Sequence, residues 1–453
     1  PGKYDWVVSF DLNSLYPHLI MQYNISPETL REVRHPAATV DKILNQELDI
    51  DPNYATCANG SMYRKDVHGF LPEMMQKIYD ERVQSKKLML IAKQEYEKTP
   101  TKEIEKAISK YNNIQMARKI QLNSAYGAIG NQYFRYYDLR NAEAITLSGQ
   151  VSIRWIENRM NGYLNKLLQT DGEDYVIASD TDSIYLNLGP LVSKFLSAKS
   201  GDKTAIVGLL DKICQEKLEP FIQSSYEELA NYVAAYDQKM IMKRENIADR
   251  GIWTAKKRYI LNVWDSEGVR YKEPKLKMMG IEAVKSSTPA PCRSAIKQAL
   301  TIMMTKTEED LISFIDRFKD EFDSLPPEDI AFPRSVNGLS KFKAHGTVYS
   351  KGCPIHVRGT LLYNFHVAQR KLEYKYPLVQ EGEKIKFLYL RRPNKIGENV
   401  ISFLNTFPRE LDLEKSVDRD AQFKKAFLDP LHIITDVIGW KTEKVSNLEF
   451  LFA

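Results

Sequence analysis

The chain has 453 residues but only four cysteines and seven histidines. Cys57, Cys214, Cys292 and Cys353 stand far apart, and none are spaced as a metal-binding pair. That excludes a disulfide framework and a cysteine-rich metal module, and points to a reducing cytosol. No apolar run approaches the roughly 18 residues a membrane span needs, so no membrane partner is expected. The N-terminus shows no charged-then-apolar signal pattern. It also lacks an initiator Met, which suggests a processed product or an excised fragment. Internal repeats and low-complexity segments are missing too, which excludes solenoids and disordered linkers. Charge of one sign is nearly absent in sum: 64 Lys and Arg against 59 Asp and Glu leave a net of +5. A net this small says little about nucleic acid, so the distribution of charge carries the argument.

What is present is enough chain for about three domains, each with its own core. Residues 5 to 10 read as a strand leading to Asp11. The stretch from Pro36 to Gly60, rich in Asp, Asn and Pro, reads as an insertion or loop. From Leu71 to about Glu97 the pattern is helical, Thr99-Pro100-Thr101 breaks it, and a second helix runs from about Lys102 to Gly127, with the glycine as its stop. Two long helices joined by so short a break form an antiparallel hairpin. Another helical stretch lies between about Tyr133 and Leu168. Tyr259 to Trp264 and Val269 to Tyr271 read as a β-hairpin, and Ser286 to Pro291 as a linker before a mainly helical C-terminal region.

The sharpest local signal is Asp180-Thr181-Asp182. Strand-like runs at about Tyr175 to Ala178 and Ile184 to Leu188 flank it, so it is the tip of a hairpin. Alone, an acidic turn is a solvated loop. If folding brings Asp11 beside it, hard oxygen donors converge in a manner that suits Mg²⁺. On the first long helix Arg82 and Lys86 are four apart and share a face. On the second, Lys119, Asn123 and Tyr126 fall on one stripe. Two cationic stripes facing each other make an anion site. The plain alternative is a pair of solvated helix faces. Basic residues also gather in Lys256-Lys257-Arg258-Tyr259 and from Tyr271 to Lys277, with Lys285, Lys351 and Arg358 beyond, whereas acidic ones gather from Glu308 to Asp323.

The ordered series Asp11-Leu12-Asn13-Ser14-Leu15-Tyr16-Pro17, then Lys119 with Asn123-Ser124-Ala125-Tyr126-Gly127, then Asp180-Thr181-Asp182-Ser183, then Lys256-Lys257-Arg258-Tyr259 resembles the motifs of family B DNA polymerases. It is most similar to those of the T-even-type phage replicative enzymes, over nearly the whole chain. The resemblance implies an α+β, multidomain right-hand architecture with a β-sheet palm, antiparallel helical-hairpin fingers and a mainly helical thumb. Its parts would be palm at 1–68 and 132–285, fingers at 69–131, thumb at 286–445 and a tail at 446–453.

It also implies roles. Asp11 and Asp182 would bridge two Mg²⁺ ions, with the Leu12 carbonyl as a further ligand, Asp180 as a nearby acid and Glu245 as a third acidic neighbour. Backbone N–H groups of Leu12, Asn13, Ser14, Leu15 and Tyr16 would cradle a triphosphate, and Tyr16 would exclude a 2′-hydroxyl. Arg82, Lys86 and Lys119 would hold the phosphates of the dNTP, Lys119 as general acid for the leaving pyrophosphate, with Asn123 behind the nucleotide. Tyr126 and Gly127 would contact the nascent pair. Lys256, Lys257, Arg258, Tyr259, Lys285 and Arg358 would hold primer-template DNA through its phosphates.

The apolar ending Leu448, Phe450, Leu451 and Phe452 resembles the peptide by which such polymerases bind a ring-shaped sliding clamp. The implied setting is the cytoplasm of a phage-infected bacterium. Asp171-Gly172-Glu173, Asp265-Ser266-Glu267 and Asp412-Leu413-Glu414 match the spelling of proofreading sites but read as chance. Proofreading is therefore expected on a separate chain or a removed segment. Two rival readings remain at this point: a non-catalytic scaffold that binds DNA and the clamp, and a two-metal nuclease using the same carboxylates.

Overall fold

The computed structural model describes residues 1–195, 202–344 and 346–443. The tail with Leu448, Phe450, Leu451 and Phe452 lies outside the described residues. By compactness the chain divides into two units. The first comprises Tyr4–Gly251 and Leu261–Lys275, the second Pro1–Lys3, Ile252–Ile260 and Leu276–Ala453. Both helix and sheet are well represented, so the class is α+β.

The first unit starts on β1 (Gly2–Leu12), which runs into α1 (Leu15–Tyr23) through a left-handed Ser14 at φ +45°. The segment expected to be an insertion is only partly irregular. It holds α2 (Val40–Leu44), capped by the Thr39 side chain, and β2 (Tyr54–Thr56), which pairs with β3 (Met62–Arg64). Ile43 is the reason: it is buried in the core and brings the helix with it.

Two long helices follow, α3 (Phe70–Lys98) and α4 (Lys102–Ile129). Pro100 cannot continue a helix, and the Thr101 hydroxyl accepts the Ile104 amide at 3.2 Å to start the next one. Each helix reaches about 43 Å at 1.5 Å per residue. Gly127 does not stop α4. The helix runs to Ile129 and ends on Gly130, because Leu122 and Ile129, seven residues apart, are both buried and hold the last turn to the core. Next comes α5 (Leu139–Leu168), started by the Asp138 side chain.

The acidic hairpin is β4 (Val176–Asp180) and β5 (Ser183–Asn187). Helices α6 (Gly189–Phe195), α7 (Lys203–Ile213) and α8 (Glu219–Tyr232) lead to β6 (Met242–Ala255), β7 (Arg258–Ser266) and β8 (Val269–Met279). The β7–β8 hairpin is longer than its apolar alternation suggests. The six strands lie in the order β4-β5-β1-β6-β7-β8, so β1 separates the acidic hairpin from β6. Apolar residues of β1, α1, α5 and α8 share one core.

The second unit is not purely helical. Helices α9 (Ala290–Thr305) and α10 (Glu308–Ser324) begin it, the latter with a Thr307–Asp310 capping box. Short α11 (Pro327–Ile330) precedes β9 (Phe332–Ser335), and α12 (Leu339–Phe342) precedes α13 (Ile355–Gln369). Then come β10 (Lys384–Tyr389), β11 (Val400–Phe403), α14 (Arg419–Phe423) and α15 (Asp429–Ile438). The three strands form an antiparallel sheet in the order β11-β10-β9. Helix α13 lies so close to it that a Cβ on Gly359 would stand 2.5 Å from the Ser402 hydroxyl, which only glycine avoids. Phe314, Phe318, Phe322, Phe423 and Phe427 stack into an aromatic core in this unit.

Candidate active site

Asp11 stands next to last on β1, and antiparallel pairing sets it opposite Ser183 of β5. The Leu12 amide donates to the Asp182 carbonyl at 2.7 Å, which fixes Asp182 in the β4–β5 turn beside the end of β1. Glu245 stands on β6, along the other edge of β1, and accepts from the Ser9 hydroxyl at 3.3 Å. Strands β1 and β6 and the β4–β5 turn thus supply three carboxylates. Burial, followed by the charges of Asp182 and Glu245, raises the Asp11 pKa to about 7. Asp182 is also raised, first by burial and then by Asp180. Asp180 itself turns toward Thr181, accepting its amide at 2.8 Å.

Lys86 and Lys119 offset only part of the repulsion in this cluster of half-buried acids, and a divalent cation would offset more. Among the described residues no three His, Cys, Asp or Glu side chains converge closely enough to hold an ion by themselves. This still fits Mg²⁺, which is commonly bound through one or two carboxylates while phosphates and water fill the remaining positions. Asp11 and Asp182 are the pair that would hold it.

Facing the carboxylates is a cleft of about 340 Å³. It is lined by Asp11, Asp182 and the Leu12-to-Tyr16 segment on one side, and by Arg82, Lys86, Lys119, Asn123 and Tyr126 of α3 and α4 on the other. All these site residues read from the sequence are therefore brought together. Gly127 is exposed on α4 and has nothing within 4 Å of where a Cβ would stand. Arg82 donates to the Ser14 hydroxyl, which ties α3 to the turn after β1. Tyr16 packs on Tyr126 with ring centroids 4.7 Å apart, so two aromatic rings wall one end of the cleft.

The expected cradle of five backbone amides is shorter than the sequence suggests. The Leu12 amide is taken by Asp182, and the Asn13 amide donates to the Ile241 carbonyl at 3.0 Å. Sheet pairing extends two residues past Asp11, which the sequence alone does not reveal. Ser14, Leu15 and Tyr16 head α1, where first-turn N–H groups have no intrahelical partner and the helix dipole favours an anion.

The basic residues farther along belong to the second unit. Lys256 and Lys257 form the two-residue β6–β7 loop and are exposed. Lys257 has φ +61°, and its carbonyl would lie 2.3 Å from a Cβ on Gly280, itself at φ +66°. Arg258 makes a bidentate pair with Glu282 at 2.7 and 3.0 Å, and Lys285 reaches the same carboxylate at 2.9 Å. Tyr259 is buried and stacks on Trp253 at 5.4 Å. Arg358 on α13 donates to Asn399 at 2.6 Å. Two residues near the cleft escaped the sequence reading: Thr181, which lines it, and Glu267, which pairs with Lys86 at 2.9 Å.

The sequence model of DNA polymerase family B matches residues 2–203. The chain is 36% identical to the DNA-directed DNA polymerase of Escherichia phage RB69, over all of this chain and 56% of that protein. It is 33% identical to the DNA-directed DNA polymerase of Enterobacteria phage T4, over 99% of this chain and 55% of the relative. The chain belongs to DNA polymerase family B. A DNA polymerase of Thermococcus gorgonarius is 23% identical over 89% of this chain and 42% of its own length. The chain therefore spans about half the length of the curated relatives it matches. Among the described residues no helix is long and apolar enough to cross a membrane.

Proposed function

We propose that this chain is a polymerase core that extends a DNA primer on a template from dNTPs. The six-stranded sheet would serve as the palm, the α3–α4 hairpin as the fingers and the second unit as the thumb. The observation that carries this reading is the single cleft in which Asp11 and Asp182 face Arg82, Lys86 and Lys119. Acids on one wall suit cations, and bases on the other suit a triphosphate. A nuclease has no use for the second wall.

The reaction is an in-line displacement: the primer 3′-oxygen bonds to the α-phosphorus and pyrophosphate leaves. Two bound Mg²⁺ ions would neutralise the attacking and leaving oxygens. The chain's own residues do the positioning. Arg82 offers planar donors to phosphate oxygens, while Lys86 and Lys119 add compact charge. Lys119, exposed on α4 and lining the cleft, would give a proton to the leaving pyrophosphate. Tyr16, braced by Tyr126, would press on the sugar and exclude a 2′-hydroxyl. Lys256, Lys257, Arg258, Lys285 and Arg358 would meet DNA phosphates, and the C-terminal tail would carry a sliding clamp.

The test is primer extension by the purified chain with Mg²⁺ and four dNTPs, beside Asp182→Asn. Extension that vanishes in the variant supports the proposal. A folded wild-type chain that binds primed DNA without extending it supports a scaffold instead.

A further inference from the structure

Lys86 does not face the cleft alone. Its Nζ lies 2.9 Å from Glu267 Oε1, and the two side chains are 29% and 31% exposed. Glu267 sits on the β7–β8 turn at φ +51°, followed by Gly268 at φ +87°. A left-handed backbone suits glycine or asparagine, so a glutamate there is held against its conformational preference. Strain of this kind is sustained only where the surroundings impose it, and it gathers at functional sites.

Here the surroundings are well defined. The Glu267 amide donates to the Glu245 carbonyl at 2.6 Å, and the Gly268 amide donates to Asp265 at 3.0 Å. Asp265 is buried and paired with Arg244 and Arg270. The turn is thus anchored from below, and its carboxylate is aimed at α3.

Three cavities meet at Arg82 and Lys86. One is the cleft just described, and two others, of about 720 and 240 Å³, are lined by Glu267 as well. Glu267 lines only the latter two, so the Lys86 ammonium stands between the cleft and the carboxylate. A phosphate entering the cleft offers Lys86 a second acceptor with more charge. A carboxylate near Asp11 also adds to the repulsion within the acid cluster, and Glu267 is one of the charges that raise Asp11.

We propose that Glu267 is a counter-ion that Lys86 exchanges for the phosphates of the incoming nucleotide. While the cleft is empty it holds Lys86 in place, and it competes with the triphosphate for that cation. It is a positioning residue and does not touch the reacting atoms. The identification of the anion as a nucleotide rests on the polymerase reading, whereas the exchange itself does not.

The test is calorimetric titration of the folded chain with inorganic tripolyphosphate in Mg²⁺-free buffer. Glu267→Gln should tighten binding by roughly 1.5- to 5-fold, the range expected for one partly screened ion pair. Glu267→Asn, which tolerates the left-handed backbone, should do the same and guards against a misfolded turn. In a Lys86→Gln background the gain should vanish, a coupling that a merely structural role would not show. In primer extension Glu267→Gln should lower KM for dNTP without raising kcat. Unchanged or weaker tripolyphosphate binding in both folded variants, or an equal gain without Lys86, overturns the proposal. Wild-type protein that binds tripolyphosphate but extends no primer overturns the polymerase reading and leaves the exchange standing.

Discussion

Asp11 on β1 pairs with Ser183, the first residue of β5, and the Leu12 amide holds the carbonyl of Asp182 in the β4–β5 turn just before it. The carboxylates cannot separate without breaking the ladder, so their repulsion is built into the fold.

Burial of Asp11, and after it that repulsion, has a measurable cost. Asp11 titrates at about 7 when folded, against 3.8 for a free aspartate. The folded state holds a proton that the unfolded state releases, so this group's contribution falls as pH rises from about 4 to 7 and stays lost above that. Asp11→Asn should therefore be more stable than wild type at pH 8 in EDTA, by on the order of 1–3 kcal/mol. The difference should shrink toward zero near pH 4. Urea unfolding at the two pH values checks the sign, and a variant less stable at pH 8 would sink the argument.

If Asp11 holds Mg²⁺ as proposed, the ion competes with that same proton. At subsaturating Mg²⁺, primer extension should fall by up to about tenfold per pH unit below 7 and recover when more Mg²⁺ is added. The measurement is the Mg²⁺ concentration for half-maximal rate at pH 6 and pH 8. An equal midpoint at both would mean that Asp11 does not bind the ion.

Much of this site is legible in the sequence, because it is built from local signals. The Asp180–Asp182 turn between two apolar runs, the Arg82–Lys86 and Lys119–Asn123–Tyr126 helical spacings and the Pro100 break all survive into the structure. What escapes depends on contacts between distant segments. Gly127 looks like a stop until Ile129 is seen to be buried. The Leu12 and Asn13 amides look available until Asp182 and Ile241 claim them. Asp265-Ser266-Glu267 looks like a chance spelling. In the structure Asp265 closes a buried ion-pair network and Glu267 reaches Lys86 across 181 residues. The three-stranded sheet of the second unit escapes because its strands are only four to six residues long and lie among helices.

Tyr16 packs its ring against that of Tyr126, with centroids 4.7 Å apart. Tyr16→Phe should keep discrimination against ribonucleotides, whereas Tyr16→Ala should weaken it by roughly 10- to 100-fold, the size of one steric contact in a pocket. Relative kcat/KM for dCTP and CTP on the same primer checks this. Equal discrimination in wild type and Tyr16→Ala would place the sugar elsewhere.

His18 lies beneath the cleft in α1, with Nδ1 3.0 Å from the Ser14 carbonyl and its ring edge-on to Tyr79. Burial lowers its pKa to about 4 from 6.5. The unfolded chain takes up a proton first, so this contribution is full above pH 6.5 and drains as pH falls to 4. Wild type should lose on the order of 2–3 kcal/mol through this group over that window. His18→Gln should start less stable at pH 7 and lose less on acidification. Parallel slopes for the two proteins would show that His18 is not buried neutral.

Lys119 separates the rival chemistries. It lines the cleft and its charge offsets the repulsion at Asp182, yet it makes no ion pair among the described residues. Removing it should leave the fold and DNA affinity nearly unchanged. A polymerase that uses Lys119 on the leaving pyrophosphate should lose about 10²- to 10⁴-fold in incorporation rate in Lys119→Ala, the usual scale of general-acid help. Lys119→Arg should recover charge and therefore KM, but little of kcat, since a guanidinium hardly gives up its proton. Single-turnover incorporation of one dNTP measures both quantities. If arginine restored kcat as well, Lys119 would act by charge alone and the proton would come from solvent.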